Sequence, residues 1–184
     1  MLAIAGWMWL IFAAYWFVAA RFVKATKLRE TRLHRLQHVI PLAIGFFLIF
    51  QRGWSGILWG RLYASRPVAI AGLVVTAAGL LFAVWARVHL GRNWSGIVTL
   101  KQGHELIRSG PYRFVRHPIY TGYLTAVLGA SIVAETGDAL VGFAIILVAL
   151  LFKMGREETF MTHEFGNEYQ EYRQTVARLV PYVY

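Results

Sequence analysis

The sequence predicts an all-α, multi-pass transmembrane protein: about five membrane helices, the fourth and fifth forming a short hairpin, and a cytoplasmic C-terminal helix. Three observations predict it. Of 184 residues, 58% are hydrophobic, above the usual share in a soluble domain. The apolar residues gather into long unbroken runs instead of alternating with polar ones. The basic residues fall between those runs, concentrated on alternate connections.

The first run, residues 2–20, is apolar throughout. No Lys or Arg precedes it and a basic cluster follows it, the reverse of a secretory signal, so a mature helix is expected. The second covers 36–50, with an extension to 59 as an option, and the third, 67–90, is the clearest span. The fourth, 118–134, and the fifth, 139–154, are short against the roughly 20 apolar residues that a span requires. Only Glu135-Thr-Gly-Asp138 separates them, and its Gly and Asp suit a tight helix-helix turn. Residues 156–176 carry Phe160, Tyr169, Tyr172 and Val176 at intervals that suit an amphipathic helix, broken at Phe165-Gly166-Asn167. The aromatic ending around Tyr182 and Tyr184 suits a membrane interface.

Assigning alternate connections to opposite sides places fifteen of the nineteen Lys and Arg residues on one face. Arg52, Arg61 and Arg66 fall on the other, and Arg87 lies near a helix end. The basic side is then cytoplasmic and the N-terminus outside. Topology and contact with anionic lipid headgroups account for the net charge of +10, and nucleic-acid binding is the weaker reading. With no cysteine there is no disulfide framework and no thiolate chemistry. The Asn93-Trp94-Ser95 triplet lies on the cytoplasmic side, where glycosylation is not expected.

Residues 1–86 read as transmembrane scaffold and 87–184 as the part that carries the chemistry, within one structural unit. The densest signal is Ser109-Gly-Pro-Tyr-Arg-Phe-Val-Arg-His-Pro-Ile-Tyr-Thr-Gly122, where rigid backbone, cations and aromatic faces occur together. Arg116-His117-Pro118 opens the fourth helix. Proline suits a first turn, and the free N–H groups there attract anions such as the carboxylate of a small cofactor, with Tyr120 and Tyr123 as walls. The plainer reading is a helix start with snorkelling cations. His104-Glu105-Leu106-Ile107, ahead of a Gly-Pro turn, is an extended stretch whose backbone can read adenine or ribose, or simply a returning loop. Arg156-Glu157-Glu158 is expected just beyond the fifth helix, with Lys153 one turn before Glu157. Such carboxylates can bind a cation, act as a base or orient an arginine; the alternative is a solvated helix start. His34 and His38 have metal-compatible spacing, but no further ligands accompany them. There is no P-loop and no glycine-rich nucleotide fingerprint.

Taken jointly, Leu90-Gly-Arg-Asn-Trp-Ser95, His104-x-Leu-Ile, Ser109-Gly-Pro-Tyr112, Arg116-His-Pro-x-Tyr-x-Gly122, Glu157-Glu158 and Phe165-Gly-Asn-Glu-Tyr169-x-x-Tyr172 form one ordered pattern. It resembles the isoprenylcysteine carboxyl methyltransferase family over residues 87–184. Phospholipid N-methyltransferases and the C-terminal part of sterol reductases share pieces of it.

The resemblance implies a membrane methyltransferase that uses S-adenosylmethionine without a soluble Rossmann domain. His104, Leu106, Ile107, Tyr112, His117, Pro118, Ile119 and Tyr120, with Arg116 at the helix start, would line a cytoplasmic cofactor pocket. Glu157 or Glu158 would close it. Family members often carry arginine about one turn before the acidic pair; this chain has Lys153 there and Arg156 directly before Glu157, so both are candidates to hold substrate. The implied acceptor is a lipophilic or prenylated amphiphile arriving from the bilayer. A carboxylate would be held by Arg156 or Lys153, whereas an amine would give its proton to Glu157 or Glu158. The rival readings are phospholipid amine methylation, an NADPH-dependent reductase and a non-catalytic transporter or lipid-binding scaffold. Against a transporter, the central parts of the spans are nearly free of ionisable residues.

Overall fold

Among the described residues, four helices are long and apolar enough to cross a membrane by length and composition: α1 (Leu2–Ala19), α2 (Arg32–Phe50), α3 (Arg66–Leu90) and α5 (Gly137–Phe165). Between the last two lies α4 (Pro118–Ala134), apolar but only 17 residues long, and α6 (Asn167–Thr175) follows α5. The computed structural model describes residues 1–22, 26–29, 31–51, 62, 65–94, 99–101 and 106–182. The optional extension of the second helix to residue 59 lies outside them.

Local chemistry sets the helix ends. The Thr31 hydroxyl accepts from His34 N–H at 3.3 Å, and that of Thr136 accepts from Ala139 N–H at 3.3 Å, each answering one of the free donors of a first turn. Proline opens α3 and α4, where its missing N–H costs nothing. Glu135 turns the chain in the left-handed region at φ 62°, so α4 and α5 form the expected hairpin.

The fifth helix departs from expectation in length. It runs 29 residues, so Arg156, Glu157 and Glu158 lie inside it, with Lys153, and not beyond it. The side chains turn polar there while the backbone ladder continues. The ladder ends at Phe165, where Gly166 takes φ 53° and α6 starts, at the break that the sequence indicated.

The helices pack in two close pairs through small residues. A Cβ added at Gly122 of α4 would lie 2.6 Å from both Ala83 N and Gly79 O of α3, so the two backbones touch. In the second pair, a Cβ at Gly142 of α5 would lie 2.6 Å from Gly45 O of α2. In lipid, where no hydrophobic force drives helices together, such close approach supplies the dispersion contacts that do. Polar residues inside the bundle answer themselves. Thr76 and Ser131, both buried, donate to the carbonyls of Gly72 and Val127, at 2.8 and 2.9 Å.

Two short strands accompany the helices among the described residues. β1 (Thr26–Arg29) pairs antiparallel with β2 (Thr99–Lys101), tying the two basic connections together. The tail returns over the start of α4. Ala177 bridges Val115 in parallel, Arg116 N–H and His117 N–H donate to the carbonyls of Ala177 and Arg178, and the Thr121 hydroxyl donates to Leu179 O at 2.7 Å. Buried Arg87 joins α1 to α3, donating to Ala19 O at 2.8 Å and Gly91 O at 2.7 Å with its guanidinium 4.5 Å from the Trp94 ring. A cation thus sits where the C-terminal carbonyls of both helices converge.

Candidate active site

A cavity of about 1000 Å3 lies among α1, α2, α4, α5, α6 and the 106–112 segment. One part of its wall is apolar: Trp9 and Phe12 of α1, Phe46 and Phe50 of α2, Tyr123 of α4 and Leu150 of α5. Trp9 meets Phe46 and Tyr123 edge to face, at 4.9 and 5.1 Å between centroids, while Phe46 stacks on Phe50 at 6.0 Å. The other part carries Tyr112, Arg116, His117, Tyr120, Lys153 and Glu157. Leu150 and Glu157 are two turns apart on α5, so apolar chamber and polar mouth are about 10 Å apart along that helix.

Glu157 is the acidic group of the mouth. The Tyr120 hydroxyl donates to its Oε1 at 2.6 Å, and His117 Nδ1 lies 3.7 Å from Oε2. Lys153, one turn earlier and buried, places Nζ 5.7 Å from the Tyr120 ring centroid. Together these side chains offer a cation, an anion and two aromatic faces within one hollow.

Glu158 sits 100° further round the helix and does different work. Its carboxylate receives Arg116 Nε at 3.0 Å and His117 Nε2 at 3.1 Å, with Arg178 Nε at 3.4 Å and Arg173 Nε at 3.9 Å. Arg116 also donates to the carbonyls of Arg173, at 3.2 Å, and Val176. One buried carboxylate therefore gathers the start of α4, the end of α6 and the tail, and it holds His117 between the two acids.

The tail closes the mouth from one side. The Tyr172 hydroxyl donates to Tyr112 O at 2.5 Å, while Arg108 donates to Glu168 O at 2.7 Å and pairs with its carboxylate at 3.0 Å. Burial pushes the phenols of Tyr112, Tyr169 and Tyr172 well above the ordinary tyrosine range. They remain neutral donors and walls, not bases.

Of the residues expected in the site, Leu106, Ile107, Tyr112, Arg116, His117, Ile119, Tyr120, Lys153 and Glu157 line the one cavity. His104 lies outside the described residues. Three expectations are corrected. Arg156 turns away to α2, donating to His34 O at 3.1 Å and Gln37 Oε1 at 2.8 Å, since one residue of helix sets it 100° from the cavity-facing Glu157. Glu158 lies in the cation cluster and not in the cavity wall, and Pro118 is buried in the first turn of α4 without lining it. The N-terminal helices are more than scaffold, since Trp9, Phe12, Trp16, Phe46 and Phe50 line the chamber. Their signal was the spacing Trp9, Phe12, Trp16, which puts three aromatics on one face of α1. Asn93, Trp94, Phe160 and Met161 also line the cavity without having been expected there.

Comparison with known proteins bears on this arrangement. The model of the "Isoprenylcysteine carboxyl methyltransferase (ICMT) family" matches residues 70–163. A "Probable protein-S-isoprenylcysteine O-methyltransferase" of Oryza sativa subsp. indica is 29% identical over 170 residues, covering 91% of this chain and 85% of that protein. "Protein-S-isoprenylcysteine O-methyltransferase A" of Arabidopsis thaliana is 30% identical over 130 residues, covering 69% of this chain and 66% of that one. The Homo sapiens protein-S-isoprenylcysteine O-methyltransferase is 26% identical over 155 residues, and the match spans only 53% of its length. The solved structure of a eukaryotic intramembrane Ras methyltransferase superposes with a TM-score of 0.57 at 22% identity, over 85% of this chain and 55% of that one, a likeness of fold. With the family's pattern matched across half the sequence and the Glu157 mouth built from that half, the chain belongs to the isoprenylcysteine carboxyl methyltransferase family of integral membrane methyltransferases.

Proposed function

We propose that this enzyme takes a methyl group from S-adenosylmethionine and esterifies the carboxylate of an isoprenylcysteine-type amphiphile. The donor would occupy the polar mouth and the acceptor's tail the aromatic chamber. The observation that carries this reading is continuity: one cavity runs from Trp9, Phe12, Phe46 and Phe50 to His117, Lys153 and Glu157. A soluble, charged donor and a lipophilic acceptor need such a junction.

The residues of the mouth suit the donor's chemistry. Its carboxylate needs cationic or N–H donors, which Arg116 and His117 supply at the start of α4. Its ammonium and sulfonium charges need an acceptor, which Glu157 supplies. Leu106, Ile107 and Tyr112 offer flat apolar walls to a purine, and His104 joins this set in the proposal. Bound there, the donor supplies an electrophilic methyl group, transferred in line to a nucleophilic oxygen.

The chain's own part is alignment and exclusion of water. An acceptor carboxylate is already ionised, so no base is needed. Lys153, on the cavity wall and one turn before Glu157, holds that carboxylate. The Tyr120 hydroxyl fixes Glu157 at 2.6 Å, and the Glu158 cluster fixes His117 at 3.1 Å, so both are oriented before ligands arrive. The basic connections make the mouth cytoplasmic, where soluble donor is available.

The test is a calorimetric titration of the detergent-solubilised protein with S-adenosylhomocysteine. The wild type binds, and His117→Ala binds at least about tenfold more weakly through loss of a charge-assisted contact. Absence of both heat and thermal shift at millimolar ligand refutes the reading.

A further inference from the structure

A second hollow, of about 590 Å3, lies on another face of α5 from the cavity mouth, between that helix and the returning tail. Gly155, Thr159, Thr162, His163, Arg173 and Arg178 line it. The hydroxyls of Thr159 and Thr162 donate to helix carbonyls, at 3.1 Å to Gly155 O and 2.7 Å to Glu158 O. Among the described residues, the N–H donors on its wall are those of Arg173, His163 and Arg178, the last also meeting Leu151 O and Glu158 Oε1, each at 3.4 Å. Among the described residues lining it, the one carboxylate is Glu158, whose side chain is 8% exposed and already meets Arg116 and His117. The hollow thus carries surplus positive charge.

Its position on α5 adds the second observation. Val148, Phe152, Gly155 and Thr159 recur at four, three and four residues, one face of a helix. Val148 and Phe152 are 51% and 66% exposed, so an unpartnered apolar stripe leads directly into the cationic hollow. Apolar chain below and anion above is the shape of a phospholipid. The geometry points to a binding site for an anionic phospholipid, its phosphate between Arg173 and Arg178 and an acyl chain along Val148 and Phe152. This site is separate from the proposed donor and acceptor sites, and it does not depend on them. It touches them through Glu158, which Arg173 and Arg178 share with Arg116 and His117. A headgroup that draws the two tail arginines outward lets the tail's hold on the mouth respond to lipid charge.

Native mass spectrometry of the whole protein released from mixed phosphatidylcholine and phosphatidylglycerol nanodiscs reads the site directly. Wild type retains phosphatidylglycerol in preference, Arg173→Lys keeps that preference, and Arg173→Glu lowers it at least about fivefold. Thr159→Trp, which fills the hollow without changing charge, lowers it too. Helical circular dichroism and a melting midpoint near wild type in Thr159→Trp show that its loss of preference is not loss of fold. Equal retention of the two lipids by wild type, or an unaltered preference in both Arg173→Glu and Thr159→Trp, overturns the site. Displacement of the lipid by millimolar inorganic phosphate overturns it in favour of a soluble anion.

Discussion

Glu157 and Glu158 are neighbours in sequence and separate in function because one residue of helix turns the side chain by 100°. Glu157 faces the cavity, held by Tyr120 and His117, whereas Glu158 faces the tail and meets Arg116, His117, Arg178 and Arg173. Glu157→Gln keeps the size and removes the charge, so methyl transfer falls about 100-fold while the thermal midpoint barely moves. Steady-state kinetics beside a melting curve reads both. Glu158→Gln leaves the half-buried Arg116 and Arg178 without the buried carboxylate that balances them and destabilises by about 3 kcal/mol, seen as an early melting transition. Arg156 sits on the α2 side of α5. Arg156→Ala therefore keeps turnover per folded molecule within about twofold of wild type, whereas Lys153→Ala raises KM for the acceptor about tenfold or more. A large loss in Arg156→Ala with Lys153→Ala intact would reverse the two roles.

Helices touch here where glycine lets them. Gly122 against Ala83 and Gly79, and Gly142 against Gly45, bring pairs of backbones together, and a side chain at either position must push a helix aside. Gly122→Val lowers the thermal midpoint, by an amount equivalent to about 3 kcal/mol or more, because the obstructing atoms are backbone. Gly6→Ala, whose added carbon meets Phe50 only at 4.0 Å, leaves the midpoint near wild type. Scanning fluorimetry of the two variants makes the comparison. The elements themselves were legible to different degrees. α4 runs over the residues that hydropathy and Pro118 indicated, and α3 begins one residue earlier than expected. The end of α5 was not legible, since a change from apolar to charged side chains at Lys153 marks where a helix leaves the membrane and says nothing about where its hydrogen bonds stop. The glycine contacts were not legible either, because a small residue shows its purpose only when its partner helix is known. Thr26–Arg29 and Thr99–Lys101 find each other across seventy residues, a pairing that no local pattern announces.

At the scale of the molecule, the cavity draws on both ends of the chain. The mouth was largely legible, since Tyr112, Arg116, His117, Tyr120 and Glu157 belong to motifs whose order and spacing mark them together. The chamber was less so: the spacing of Trp9, Phe12 and Trp16 marks one face of α1, but that helix is apolar on every side and has no polar face to set them off. The division of labour predicts separable defects. Trp9→Ala raises KM for the acceptor about tenfold through lost aromatic contact while S-adenosylhomocysteine affinity stays near wild type; His117→Ala does the opposite. Equal damage to both ligands by Trp9→Ala would mean that chamber and mouth are not distinct subsites. The most direct measurement is methyl transfer itself. Purified protein in liposomes is given S-adenosylmethionine with a tritiated methyl group and N-acetyl-S-farnesylcysteine. The account predicts label in the farnesylcysteine as a base-labile methyl ester, lost in Glu157→Gln. Folded protein that binds S-adenosylhomocysteine yet puts no label there, or puts it on phosphatidylethanolamine nitrogen instead, contradicts it.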